Sequence, residues 1–221
     1  VKWKRRGTAL SFERCSLSSP IPLYSNSELR CEAARLSLDF LHTLNWPDEM
    51  FDMRGFRCYC PECFPLRWRD HETQAGERYI FPRGWVRFGL KLNRIFTCMS
   101  RTKNPWQWNV AFHGTTAEGA MSIIKHQSLL LAGDTTQGGQ TLVTRASVDK
   151  QQKYHFVTPH ICYAAHPWYS KIYPFNTSSL RKRELYAQIV LAMRVRPNTF
   201  QKKAETEGGA KRLFDDYRYI P

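Results

Sequence analysis

Val110-Ala111-Phe112-His113-Gly114-Thr115-Thr116 decides how the chain is read. Residues 106–112 carry the aromatic and β-branched side chains of a strand, and the strand ends on His113-Gly114. A helix over residues 115–125 follows at once, with Thr115 or Thr116 as its N-cap. Ala120, Ile123 and Ile124 then fall on its inward face. A histidine is thus delivered to the junction of a strand and a helix, beside a residue with no Cβ.

Working downstream, Gly133-Asp134 and Gln137-Gly138-Gly139-Gln140 mark turns. Some forty residues past the histidine comes Phe156-Val157-Thr158-Pro159-His160-Ile161-Cys162-Tyr163-Ala164-Ala165-His166-Pro167-Trp168-Tyr169. It reads as a short strand at Phe156-Val157 and then a helix from Ile161 until Pro167. Residues 184–195 alternate as a long strand with Leu185, Ala187, Ile189, Leu191 and Met193 on one side. Working upstream, Leu29, Ala33, Leu36, Phe40, Leu41 and Leu44 recur at helical spacing, which predicts a helix over 28–44 capped by Ser27 and stopped by Trp46-Pro47. Residues 1–27 read as an extended arm, the stretch to residue 75 as irregular, and 79–90 as short strands. Strands with interspersed helices, but without strict βα alternation, make the expected class α+β. The chain divides on this reading into an N-terminal extension, 1–103, and a domain over 104–221.

The two strings around His113 and Tyr163 resemble the signatures of ADP-ribosyltransferases of the diphtheria-toxin and poly(ADP-ribose) polymerase type. In those proteins a strand runs into His-Gly-Thr or His-Gly-Ser and then a helix, and a second, aromatic-bearing strand enters a helix with further aromatics. The resemblance implies a split antiparallel β-sheet core with flanking helices, NAD as substrate and a pentosyl transfer reaction. It implies that His113 is the catalytic-site histidine that holds ribose. Gly114 and Thr115 would line the nicotinamide, and Phe156 with Tyr163 or Tyr169 would sandwich its ring. The residue chemistry fits these roles: an imidazole can bond a hydroxyl, glycine admits a ligand to the backbone, and a helix start offers free N–H groups. From Phe51, through Cys58-Tyr59-Cys60-Pro61-Glu62-Cys63 and residues 82–90, to Tyr163-Ala164, the chain also looks like the C-terminal region of neuralized-like proteins. That likeness implies a transferase-like domain with a Cys-containing extension and includes proteins without activity.

There are departures from the pattern. Phe156 stands where the family usually has Tyr, and Ala164 where many relatives have a Ser, so single-unit transfer rather than polymer synthesis is expected. The family's carboxylate, which stabilises the oxocarbenium-like ribose, has no matching position. Its place is beyond Pro221, or at Glu205 or Glu207; Asp215-Asp216 are the other late acids.

Cys58-x-Cys60-x-x-Cys63 places three thiols within six residues, close enough to face one tetrahedral ion. Zinc is the natural candidate over the stapled segment 51–75, with His71 or Cys31 as fourth ligand. Cys98 and Cys162 read as isolated core residues. Seven cysteines, an odd number, and no apolar leader at Val1-Lys2-Trp3-Lys4 argue against a disulfide framework. An intracellular protein, cytoplasmic or nuclear, is expected. No run approaches the ~20 apolar residues of a membrane helix, and the first residue, not Met, suggests a piece of a longer protein.

Thirty-three Lys and Arg against nineteen Asp and Glu, a net charge of +14, predict an anionic partner: a pyrophosphate, an acidic protein or a nucleic acid. Arg67-Trp68-Arg69, Trp85-Val86-Arg87-Phe88 and Arg181-Lys182-Arg183 interleave bases with aromatics as nucleic-acid surfaces do. Two functions stand at this stage: a mono-ADP-ribosyltransferase acting on protein or nucleic acid, and a catalytically inactive binding module of the same fold.

Overall fold

Ile189, Val190 and Leu191 have no exposed surface at all, because the strand that carries them, β9 (Ile189–Val195), is covered on both faces. Ile189 and Leu191 enter the larger core, while Val190 and Ala192 enter a second cluster with Phe112, Ile161, Ala164, Tyr79 and Trp85. An uninterrupted apolar run of this kind marks a central strand. Each such aliphatic side chain contributes roughly 1.5–3 kcal/mol when taken out of water.

The structure is a computed structural model describing residues 8–11, 31–91, 108–126, 129, 133–136, 138–139, 141, 155–176 and 184–200. In chain order its elements are β1 (Thr8–Ser11), α1 (Glu32–Thr43), a single 3-10 turn (Asp48–Met50), β2 (Phe51–Cys58), β3 (His71–Gln74), β4 (Glu77–Ile80), β5 (Val86–Leu90) and β6 (Asn109–Gly114). After these come α2 (Ala117–His126), α3 (Ile161–Ala164), β7 (Tyr173–Phe175), β8 (Leu185–Ala187) and then β9. The principal sheet has the order β2-β5-β1-β9-β6. β6 runs antiparallel to β9, setting His113 opposite Leu191 and Gly114 opposite Val190. β3 with β4 and β7 with β8 form separate antiparallel pairs. The class is α+β.

α1 packs Leu38, Phe40 and Leu41 into the larger core, and α2 adds Ala120, Ile123 and Ile124. Phe40 meets Tyr173 and Phe175 of β7 at ring-centroid distances of 6.0 and 5.2 Å, so the first helix reaches the last third of the chain. α2 starts as its sequence indicates: Gly119 donates its N–H to the Thr116 hydroxyl at 3.0 Å. No helix among the described residues is long and apolar enough to cross a membrane.

Several expectations are corrected. The boundary at 103/104 does not separate two cores, since one core and one sheet take residues from both sides of it. The sheet is mixed, because β1 is parallel to both β5 and β9. α1 begins at Glu32 with Cys31 as its N-cap, whose sulphur accepts from the Ala34 N–H; Ser27 lies outside the described residues. The segment expected to be irregular contains the eight-residue β2. Its charged Asp52, Arg54 and Arg57 and a register shift between Asp52 and Arg57 hide the alternation. The irregular stretch also brings Gly55 against Gly89 of β5. A Cβ on Gly55 would lie 2.6 Å from the Gly89 Cα, so neither strand tolerates a side chain there. The expected Phe156-Val157 strand reduces to one bridge between Thr158 and Phe112, and the long strand 184–195 breaks at Gln188.

Candidate functional site

Two groupings of chemically capable side chains form on this frame. The first is made of four cysteines. Cys31 stands at the start of α1, Cys58 ends β2, and Cys60 and Cys63 sit in the tight turn after it. Their sulphurs all lie within 4.8 Å of one another, with Cys31 and Cys58 at 3.4 Å. A tetrahedral ion ~2.3 Å from each thiolate would space them ~3.8 Å apart, so the cluster can hold a metal ion. The turn is built for it: Cys63 N–H points at the Cys60 sulphur, 3.5 Å away, and Phe64 N–H bonds the Cys60 carbonyl at 2.8 Å. Tyr59 pairs with residues 84 and 85 through Tyr59 N to Trp85 O, 2.9 Å, and Gly84 N to Tyr59 O, 2.8 Å.

Burial pushes the Cys58 thiol well up, with the Cys31 sulphur adding to the rise. Burial likewise carries Cys63 to about 12, helped by hydrogen bonds with Cys31 and Cys60. For Cys60 burial acts in the same direction but is outweighed by the Cys63 N–H and by bonds from Cys58 and Cys63, and its thiol lies below the ordinary value. Burial therefore opposes ionisation of Cys58 and Cys63; a bound cation reverses that.

His71, expected as a ligand, is not among the four. It is exposed on β3, with Nδ1 3.4 Å from an Arg78 nitrogen, and the β3–β4 pairing sets it opposite Ile80. Cys31 takes its place, brought in from 27 residues upstream by the packing of α1. Cys162 is exposed rather than a core residue, and Cys98 lies outside the described residues. Beyond the cysteine turn, Arg83 clamps residues 64–70. It bonds the carbonyls of Phe64 (3.1 Å), Pro65 (3.3 Å) and Trp68 (2.7 Å), pairs with Asp70, and lies 4.6 Å over the Phe64 ring.

The second grouping forms where β6 meets α3. His113 Nδ1 is 2.9 Å from the Phe156 carbonyl. A carbonyl only accepts, so Nδ1 carries the proton and the neutral ring presents Nε2 as a bare acceptor. Burial holds the His113 pKa below the ordinary 6.5, and His155 pushes it the same way, against the opposing effect of the Phe156 carbonyl. On the same edge of β6, Phe112 exchanges two bonds with Thr158, at 2.7 and 3.0 Å.

Gly114 is pressed against α3: a Cβ there would lie 1.9 Å from the Ala164 carbonyl oxygen and 2.8 Å from the Tyr169 Cβ. Over this contact, Tyr163 and Tyr169 stack with centroids 5.4 Å apart and planes 19° off parallel. Their hydroxyls are 3.2 Å apart. His113 thus meets the Phe156 backbone, and Gly114 meets Ala164 and Tyr169, across some forty to fifty residues of sequence. The Phe156 ring is exposed. Thr115 occupies the turn into α2, its hydroxyl close over Gly119. The α2 start is not open as expected: Ala117 N–H is donated to the Tyr173 hydroxyl at 2.7 Å, and that hydroxyl donates to Glu118 at 3.3 Å.

Sequence reasoning overlooked Tyr173 and also Gln188 and Ser170, both buried. The signal for Gln188 was present: an amide interrupting an otherwise apolar strand needs partners when buried. The acids Glu205, Glu207, Asp215 and Asp216, and the basic run 181–183, lie outside the described residues. Neither a comparison with protein-family models nor one with solved structures finds a match to this chain.

Proposed function

We propose that this chain is an NAD-dependent mono-ADP-ribosyltransferase domain, with the β6–α3 grouping as its nicotinamide and ribose site. One observation supports the reading: the strand carrying His113 and Gly114 meets the segment carrying Tyr163 and Tyr169, with His113 bonded to the Phe156 backbone and Gly114 against Ala164 and Tyr169. On this reading Nε2 of His113 accepts a hydrogen bond from a ribose hydroxyl, the Gly114 backbone meets the carboxamide, and the tyrosine rings supply the flat wall. Stacking of this kind contributes ~1 kcal/mol per face. The bond between nicotinamide nitrogen and ribose C1′ breaks with its electron pair leaving on nicotinamide. A nucleophile on an acceptor protein or nucleic acid then attacks C1′ and gives up its proton. The supporting carboxylate is sought at Glu205, at Glu207 or beyond Pro221. The charge of +14 favours an anionic acceptor.

We propose zinc as the ion of the four-cysteine cluster, in a structural role, because four sulphurs form a closed tetrahedral set with no position left for substrate. Its contribution is to fasten the start of α1 to the end of β2. Free cysteines fit the reducing cytoplasm or nucleus.

A second reading, an inactive module of the same fold that binds an acidic protein or nucleic acid, is favoured by the Phe156 ring. Expected as one wall of the nicotinamide sandwich, it is exposed, and the two tyrosines expected opposite it stack on each other at 5.4 Å. The test is transfer of label from radiolabelled NAD by the intact parent protein and by its His113→Ala form. Label on wild type that disappears in the variant supports the enzyme; equal label, or none, supports the inactive module.

A further inference from the structure

Gln188 sits between β8 and β9 and is buried. Its Nε2 donates to two backbone carbonyls, Ala165 at 2.6 Å and Ser170 at 3.0 Å. Both partners are carbonyl oxygens, which only accept, so the NH₂ end of the amide must face them and both of its protons are used. Ser170, which has no exposed surface, returns a third bond from its hydroxyl to the Ile189 carbonyl at 2.9 Å. The turn 165–170 is closed on itself by Tyr169 N and Ser170 N to His166 O, at 2.8 and 3.0 Å. This closed turn is tied to residues 188 and 189 by those three bonds. It carries Tyr169, whose Cβ lies against Gly114, and it follows directly on Ala164, whose carbonyl presses on the same glycine.

From this geometry we infer that Gln188 is a positioning residue for the cleft. It fixes the height of the Tyr169 wall over Gly114 and so sets the affinity of the site for a flat, amide-bearing heterocycle such as nicotinamide. The inference rests on the reading of the cleft given under Proposed function. It adds a residue that touches no ligand, and it explains the break in the 184–195 strand. Residue 188 leaves the ladder, and its side chain serves two backbone carbonyls. An apolar side chain of similar size removes the donor from both, and a carboxylate repels them.

The test uses the full chain with ring-labelled tyrosine, as wild type, Gln188→Leu and Gln188→Glu, titrated separately with nicotinamide and with NAD. The stacked Tyr163 and Tyr169 rings give ring-current-shifted signals. The expected result is that both variants lose those shifts, keep the Tyr59 signal of the cysteine turn, and bind nicotinamide at least tenfold more weakly. Tyrosine signals that stay in place, or wild-type affinity in a folded variant, overturn the inference. Wild type that binds neither probe while the variants still lose the ring shifts removes the NAD reading and leaves Gln188 as the fastener of that wall. Should both variants unfold, the wild-type Gln188 NH₂ protons decide: slow exchange with solvent is expected, and exchange at the rate of a free amide refutes the assignment.

Discussion

Replacing Gly114 with alanine adds one methyl group at the point where β6 and α3 touch. The new Cβ would stand 1.9 Å from the Ala164 carbonyl oxygen and 2.8 Å from the Tyr169 Cβ. Ordinary carbon contacts begin near 3.5 Å, so backbone must move by more than 1 Å. The obstacle is the carbonyl of a short helix and not the end of a flexible side chain, which places the cost toward the upper part of the ~1–3 kcal/mol typical of overpacking. At roughly 2–4 °C per kcal/mol for a chain of this length, the melting temperature should fall by roughly 4–12 °C. The stacking of Tyr163 on Tyr169 should be lost with it. Gly138→Ala is the control, since its only near neighbour among the described residues is the Thr136 hydroxyl at 3.9 Å, and it should stay within about 0.5 kcal/mol of wild type. Thermal and urea unfolding of the three proteins, with near-ultraviolet circular dichroism for the tyrosines, make the comparison. Gly114→Ala as stable as wild type, with its aromatic signal intact, would refute the packing of α3 on Gly114 and with it the site.

Three further expectations can be checked independently. Cys31→Ser should lower the metal content of purified protein measured by plasma emission, and Cys162→Ser and His71→Ala should not; chelator treatment of wild type should lower its melting temperature. His113 should titrate below 6.5 by NMR. Its folded value is depressed, so the stability it contributes is present above the unfolded value of about 6.5 and is lost as pH falls through the folded value; His113→Gln should flatten that part of the stability profile. Arg83→Ala should leave the carbonyls of Phe64, Pro65 and Trp68 without their donor and expose Arg67 and Arg69 to trypsin; Arg83→Lys should fail to restore protection, because an ammonium cannot reach three carbonyls from one planar fork.

The strand, glycine and helix around His113 were legible in the sequence because their signals are local. A β-branched and aromatic run, a glycine and a capping threonine follow one another within eight residues, and each obeys a short-range rule. The apolar spacing of α1 and the closeness of Cys58, Cys60 and Cys63 were visible for the same reason. What stayed hidden depends on pairing at a distance. The choice between Cys31 and His71 as fourth ligand is one example, since only the docking of α1 carries Cys31 to Cys58. β2 alternates poorly because Asp52 is satisfied by Arg54 through a contact at 3.0 Å, which lets a charged residue be buried where periodicity expects an apolar one.

Distance also explains why the division at 103/104 fails. Phe40 of α1 packs on Tyr173 and Phe175, and the Tyr173 hydroxyl takes the first N–H of α2, three residues beyond Gly114. The cysteine cluster anchors the opposite end of that same α1, through the Cys31 cap. The two groupings are chemically separate, yet one helix of twelve residues joins their surroundings: α1 is capped by a cysteine of the first and packs on Tyr173, whose hydroxyl holds the start of the helix that follows Gly114.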